Sequence, residues 1–351
     1  MGNPSPEAPE WRAGQVVAEP RAIATGTPAP VAGATVAAVG TGPRRAGVDP
    51  CRRFVRGVLS TLGRAYPLLS GCGLLANSGL FRWAAGGGPA IAEVRLRNGA
   101  TLYVVLGDYV GRAAYFFRDL DPKVTGICRR VLRPGDTFVD IGANCGLVTF
   151  YAATAVGGQG QVHAFEPQPD LVELLRRSAA GNGYQQVRVH PVALSDRDDV
   201  MTLAIPADNA GAASLVRRER PFARLLEVPV RQAGPYLAGL GLGPVRLMKI
   251  DVEGHEPAVL HGALEFLRDS PPAAIIFESN DHRVPVARRR EMTLLQALAY
   301  QIYSVERSWL GLSLQPLDAC GDGHGAHDYL AIHRGGAGPD IARRVGVTWR
   351  D

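Results

Sequence analysis

The sequence predicts an α/β fold: a doubly wound, mostly parallel sheet that closes with a final antiparallel strand. Three observations carry this. Short apolar runs alternate with helical patterns from residue 122 onward, the order that builds parallel sheets covered by helices on both faces. The stretch Thr137–Gly146 passes from an apolar run (Phe138, Val139, Ile141) through a glycine turn into a helical pattern, which reads as strand, tight turn and helix start. Acidic residues recur where predicted strands end, at Asp140, Glu166, Asp196, Asp251 and Glu278, and strand ends face the ligand crevice of an open sheet.

Residues 1–50 are rich in Ala, Pro and Gly and poor in large aliphatics. Such a segment cannot bury enough apolar surface to offset its ordering entropy, so it reads as a disordered tail. Residues 51–90 form a helical extension and linker. Arg52, Arg53, Phe54, Val55, Arg56, Val58, Leu59 and Leu62 predict an amphipathic basic helix that Pro67 stops or kinks. Its expected role is packing on the main domain or capping a substrate, with membrane-surface binding as the alternative. The main domain spans 91–335, and 336–351 reads as a C-terminal tail.

The main domain opens on a hairpin. Val94 and Leu96 alternate with charged residues, Asn98-Gly99 turns, and Leu102–Leu106 returns. Tyr109, Tyr115, Phe116 and Phe117 follow without an assigned element, and Pro122–Leu132 reads as a helix. Strands are then predicted at Val162–Phe165, Val187–Val192, Leu247–Ile250 and Ala274–Phe277, with two closing strands near Ile302–Val305 and Tyr329–His333. Helices are predicted at Pro169–Ala180, Pro257–Leu267 and Glu291–Tyr300, and a polar excursion covers Asp208–Arg224.

At 351 residues, 46% of them hydrophobic, the chain can build a sizeable core. The net charge of +5 includes the run Arg288-Arg289-Arg290 without interleaved aromatics, so a solvated basic face is expected and no nucleic-acid partner. Five scattered cysteines with no C-x-x-C fit neither a zinc site nor a disulfide framework. With no signal-peptide pattern and no membrane-length apolar run, a cytoplasmic protein is expected.

The glycine turn lacks a dinucleotide fingerprint, because G-x-G-x-x-G from Gly142 would need glycines where Asn144 and Leu147 stand. Glu166 follows Gly142 by 24 residues and ends the second strand, where a carboxylate can accept both hydroxyls of a ribose or cap the next helix. Asp196 suits an adenine amino group or an ordinary turn. Lys249-Ile250-Asp251-Val252-Glu253-Gly254-His255-Glu256 crowds ionisable groups at one strand end, a pattern that shifts pKa values at functional sites and equally builds capping networks. His282 and the His324/His327/Asp328 group sit in loops and are weak candidates for metal or base roles.

These stretches together resemble the FkbM family of S-adenosylmethionine (SAM) dependent methyltransferases. The resemblance rests on Pro134-Gly135-Asp136, Val139–Gly146, Ala164-Phe165-Glu166-Pro167, Ala193–Asp196, Lys249–Glu256 and Ile275–Glu278. It implies the class I methyltransferase (Rossmann-like) fold, SAM as cofactor, and O-methylation of a hydroxyl on a sugar, glycan or natural-product acceptor. By position it puts Asp140, Gly142, Asn144 and Gly146 at the methionine side, Glu166 at ribose and Asp196 near adenine. His255 departs from many relatives.

Methyl transfer to an alcohol needs alignment and proton removal. Asp251 or His255 is the expected base, with Lys249 stabilising the oxyanion or fixing Asp251. A Mg²⁺ ion on Asp251, Glu278 and Asn280 is the alternative and is not favoured. Two readings compete with the enzyme: a catalytically silent SAM-binding or scaffolding protein, and a nicotinamide-dependent oxidoreductase.

Overall fold

The computed structural model describes residues 49–66, 71–86, 90–206, 209–215, 222–281, 283–306, 311–317 and 327–349. All belong to one compact unit, Val48–Asp351. The predicted tail up to residue 48, His282 and His324 lie outside the described residues, as does part of the predicted excursion.

Three helices come first: α1 (Pro50–Arg64), α2 (Cys72–Ala76) and α3 (Gly79–Ala85). Asp49 starts α1, its side chain accepting from Cys51 N at 3.1 Å, and Pro50 sits in the first turn, where its missing N–H costs nothing. The predicted hairpin is β1 (Ile91–Arg95) with β2 (Thr101–Val105) in antiparallel register. The aromatic segment after it is helical, α4 (Tyr109–Phe117), with Asp108 accepting from Gly111 N. Then follow α5 (Pro122–Val131), β3 (Thr137–Ile141), α6 (Leu147–Val156), β4 (Gln161–Phe165), α7 (Pro169–Asn182), β5 (Val187–His190), β6 (Ala193–Ser195) and β7 (Asp199–Pro206). The remainder is β8 (Phe222–Gln232), α8 (Ala233–Gly239), β9 (Val245–Ile250), α9 (Glu256–Gly262), α10 (Leu264–Asp269), β10 (Ala274–Glu278), α11 (Arg290–Ala297), β11 (Tyr300–Glu306), β12 (Ser313–Pro316), β13 (Asp328–His333) and α12 (Gly338–Val345).

The main sheet has the order β12-β11-β13-β10-β9-β3-β4-β5. Pairings from β10 through β5 are parallel, and β13 is wedged antiparallel between β10 and β11. This is the expected doubly wound sheet with its late reversed strand. The chain runs outward from β3 to β5 and returns to β9 on the other side of β3, so the order reverses at β3 and opens a crevice there.

Both sheet faces are buried, which is why the strands read as continuous apolar runs. Val139, Ile141, Met248, Ile250, Ile275 and Phe277 pack with α8–α11 on one face. Phe138, Leu247, Ala274 and Ile276 pack with α5, α6 and α12 on the other. In α12, Ile341, Ala342 and Val345 are buried, so the C-terminal segment contributes to the second core.

Two further features depart from the expectation. The excursion is flanked by a long hairpin, β7 with β8, which pairs with β6 as a separate three-stranded sheet. The helix expected over 257–267 is broken into α9 and α10 at Ala263. At the preceding Gly262 a Cβ would lie 1.9 Å from Ser195 O, so the backbones touch there. Among the described residues, no helix is long and apolar enough to cross a membrane.

Candidate active site

The site is built on the turn between β3 and α6. Gly142 has φ +81, and a Cβ there would lie 1.9 Å from Asp251 O. No other residue fits where the end of β9 crosses the loop. Gly142 N and Ala143 N both donate to Phe165 O, which fastens the loop to β4. Asn144 takes the left-handed conformation at φ 53, and its Oδ1 accepts from Cys145 N at 2.6 Å. At Gly146, φ +93, a Cβ would collide with Leu175 and Phe150.

Beneath the loop is a buried ionic clamp. Asp140 is 0% exposed and accepts from Thr149 Oγ1 at 2.6 Å. Lys249 Nζ lies 3.3 Å from Asp140 Oδ1, 3.3 Å from Asp251 Oδ2, and donates to Gly142 O at 3.0 Å. Burial pulls the ammonium down, but Asp140 and Asp251 together outweigh it and hold it above its ordinary range. Asp140 and Lys249 thus support the loop from below, and only Asp251 of the three is substantially exposed.

Glu166 ends β4 and is buried. Its Oε2 accepts from Asn144 N and its Oε1 from Gln168 N, each at 2.9 Å. Burial outweighs these bonds and pushes the carboxyl up to about 7. Each oxygen keeps lone-pair capacity for a further donor. The carboxylate faces a small cavity of about 80 Å³ walled by Phe165, Val192, Leu194, Leu203 and Leu215.

That cavity shares Gly142, Asn144, Gly211, Asp251 and Glu253 with a larger cleft of about 660 Å³. The larger cleft runs from the loop past the ends of β9 and β10 to the start of α5 and to α2. Five carboxylates line it (Asp121, Asp251, Glu253, Glu278, Asp328) against two ammonium groups, Lys123 and Lys249. Lys123 pairs with Asp328. Asp121 is pushed up to about 7 by burial, then by Asp328, against the pull of Lys123.

Glu278 Oε2 is buried and has no hydrogen-bond partner among the described residues. Burial, then the nearby Asp251 carboxylate, push Glu278 upward. Carboxylate oxygens of Asp251, Glu256 and Glu278 lie within 4.8 Å of one another. Glu256 Oε1 is committed to Val252 N and Gly254 N. Asn280 Oδ1 lies 2.6 Å from His327 Nδ1, so its amide oxygen is engaged there, and the third carboxylate beside Asp251 and Glu278 is Glu256.

Two sequence candidates, Asp196 and His255, meet at Ser195. Asp196 does not line either cavity; its Oδ1 accepts from Ser195 Oγ at 3.1 Å and from Arg197 Nη1 at 3.2 Å. His255 borders the small cavity with its Nε2 2.8 Å from Ser195 Oγ. Burial holds its imidazole below the ordinary range, against the pull of Asp196. The sequence did not single out Asp121 or Lys123, and it gave Asn209 and Gly211 only as part of the polar excursion. A Cβ on Gly211 would lie 2.7 Å from Asn144 Nδ2, so the excursion reaches over the loop.

Residues 140–302 match the Methyltransferase FkbM domain model. The chain is 29% identical over 201 residues to the 31-O-demethyl-FK506 methyltransferase FkbM of Streptomyces tacrolimicus, covering 49% of this chain and 75% of that protein. It is 29% identical over 148 residues to Methyltransferase 1 of Beauveria bassiana, covering 37% of this chain and 59% of that protein. A solved structure of a methyltransferase FkbM from Methylobacillus flagellatus aligns with 64% of this chain and 53% of that one, at 15% identity and a TM-score of 0.35.

Proposed function

We propose, for a chain that belongs to the FkbM family of SAM-dependent methyltransferases, that it methylates a hydroxyl of an uncharged, polyhydroxylated acceptor such as a sugar, glycan or natural product. The observation that carries this is the buried, unpartnered Glu278 Oε2 beside Asp251 at the lip of the glycine loop. A carboxylate held there can accept a hydroxyl proton. The excess of carboxylates over cations around it supports neutral hydroxyl-rich acceptors and disfavours phosphates.

The site's residues support SAM as the cofactor. Glu166 would accept from the ribose hydroxyls, the apolar wall of Val192, Leu194 and Leu203 would face adenine, and the loop Gly142–Gly146 would admit the methionine part. SAM, when bound, supplies a methyl group activated on a sulfonium. Asp251 and Glu278 would orient the acceptor hydroxyl in the cleft, and Glu278 would take its proton on Oε2. Lys249 and His255 are positioning residues, Lys249 by anchoring Asp251 and the loop, His255 by bracing Ser195.

Two measurements test this. Transfer of a labelled methyl group is expected to glycosides and hydroxyl-bearing macrocycles; labelling of amines or RNA alone would sink the hydroxyl assignment. For the cofactor, Glu166→Ala is expected to weaken S-adenosylhomocysteine binding by roughly 10–100-fold, the range for losing hydrogen bonds to a charged group. Because the folded carboxyl is raised to about 7 and ribose donors prefer the ionised form, wild-type affinity should fall as pH drops below about 7. Glu166→Gln should flatten that dependence in calorimetric titrations, and an unchanged pH profile would remove Glu166 from the site.

A further inference from the structure

We propose that the face formed by α1 and α3 docks on an anionic lipid bilayer. Helix α1 is apolar on two sides. Val55 and Leu59 turn inward against the cluster around Phe116 and Phe117. Phe54, Val58 and Leu62, spaced four residues apart, form a stripe on the outside, with Phe54 72% and Leu62 63% exposed. Arg53 and Arg64 flank the stripe and are exposed. Exposed Leu80 and Trp83 on α3 extend the apolar surface, and Arg52 stacks over the Trp83 ring at 5.5 Å, which ties α3 to α1. Five of the ten large hydrophobic side chains exposed among the described residues (Phe54, Val58, Leu62, Leu80 and Trp83) lie on α1 and α3. Concentration on that scale marks an interaction surface.

Charge selects the partner. Between Asp49 and Glu93 there are five arginines and no acidic residue, a local +5 equal to the net charge of the whole chain. An apolar helical stripe bordered by arginine, with tryptophan beside it, is the composition of helices that lie in the headgroup region of anionic membranes. A second copy of the chain in a two-fold contact would set this basic face against itself. Residues 1–47 carry four arginines and three glutamates, a net +1 of the same sign as this face. The helical extension also reaches the larger cleft, through Leu74 on α2. Docking itself stands apart from the catalytic reading.

The test is co-sedimentation of the full chain with extruded vesicles of phosphatidylcholine alone or mixed with phosphatidylglycerol. Binding to the anionic vesicles should exceed binding to neutral ones by at least about tenfold and should fall in high salt. Phe54→Ser/Leu62→Ser should abolish it. Arg53→Ala/Arg64→Ala should weaken it roughly 25-fold, about fivefold per arginine. Both variants change exposed side chains, so an unchanged thermal melt and unchanged S-adenosylhomocysteine affinity serve as folding controls. Absence of vesicle binding, equal binding to neutral vesicles, or a wild-type dimer that the Ser variant dissociates would overturn the proposal.

Discussion

Replacing Glu278 with Gln is expected to lower methyl transfer by roughly 10²–10⁴-fold, the contribution of a positioned general base. Glu278 lies at the carboxyl end of β10, half-buried, with one oxygen buried and unpartnered. Burial first and Asp251 second push its carboxyl up to about 8. A base must be ionised to accept a proton, so the acceptor rate should climb about tenfold per pH unit and level off at or below about pH 8. Bound sulfonium charge can only move that limb toward acid. The Gln variant should lose the limb, and Glu278→Asp should keep a limb at reduced rate. Asp251→Asn carries a distinct signature: removing the like charge should shift the limb to lower pH while lowering the plateau. A Glu278→Gln enzyme within about threefold of wild type, with its pH limb intact, would assign the base elsewhere.

The strand-end carboxylates were visible in the sequence because buried parallel strands write themselves as unbroken apolar runs, and a charge that ends such a run must sit at the crevice. Glu166 and Asp251 follow that logic directly. The pairing of Asp251 with Glu278 does not, because it depends on strand adjacency. Ile250 is in register with Phe277 across the parallel β9/β10 pair, so the next residue of each strand, Asp251 and Glu278, emerge side by side. Nothing in the spacing of 27 residues states this register. The place of His255 was hidden for a related reason. It lies four residues beyond Asp251, but the left-handed turn at Glu253 and Gly254 swings it back under β6 to meet Ser195. Asp196 lies outside both cavities because β6 leaves the main sheet to pair with β8, carrying the following residue away from the crevice. The helix α4 escaped notice because its aromatic residues, Tyr115, Phe116 and Phe117, are adjacent in sequence and hide the helical period.

Lys249→Met is expected to destabilise the fold as well as the site. The substitution keeps the aliphatic stem but leaves Asp140, fully buried at the centre of the sheet, without its cation. Breaking a buried ion pair from one side costs about 3–5 kcal/mol, because the remaining charge stays desolvated. Against a typical stability of about 5–15 kcal/mol this is a large fraction, and Tm should drop by roughly 6–10 °C at about 2 °C per kcal/mol. The pH dependence of the deficit is fixed by sign. Lys249 is raised in the folded state above its unfolded value of 10.5. Its contribution is therefore fully present below that value and is lost only in strong alkali. The Tm difference between wild type and Lys249→Met should stay constant from about pH 6 to 9. Asp140→Asn placed in the Lys249→Met background should recover part of the loss, since it removes the stranded charge while an amide can still accept from Thr149. The loop should respond too: Gly142 O loses its Nζ donor, so S-adenosylhomocysteine affinity should fall in the single variant and stay low in the double one. Thermal melts and calorimetric titrations of the three proteins separate the two roles. A single variant that melts within about 1 °C of wild type, where a lost buried pair predicts several degrees, would mean that Asp140 finds another partner and that Lys249 serves the cleft rather than the core.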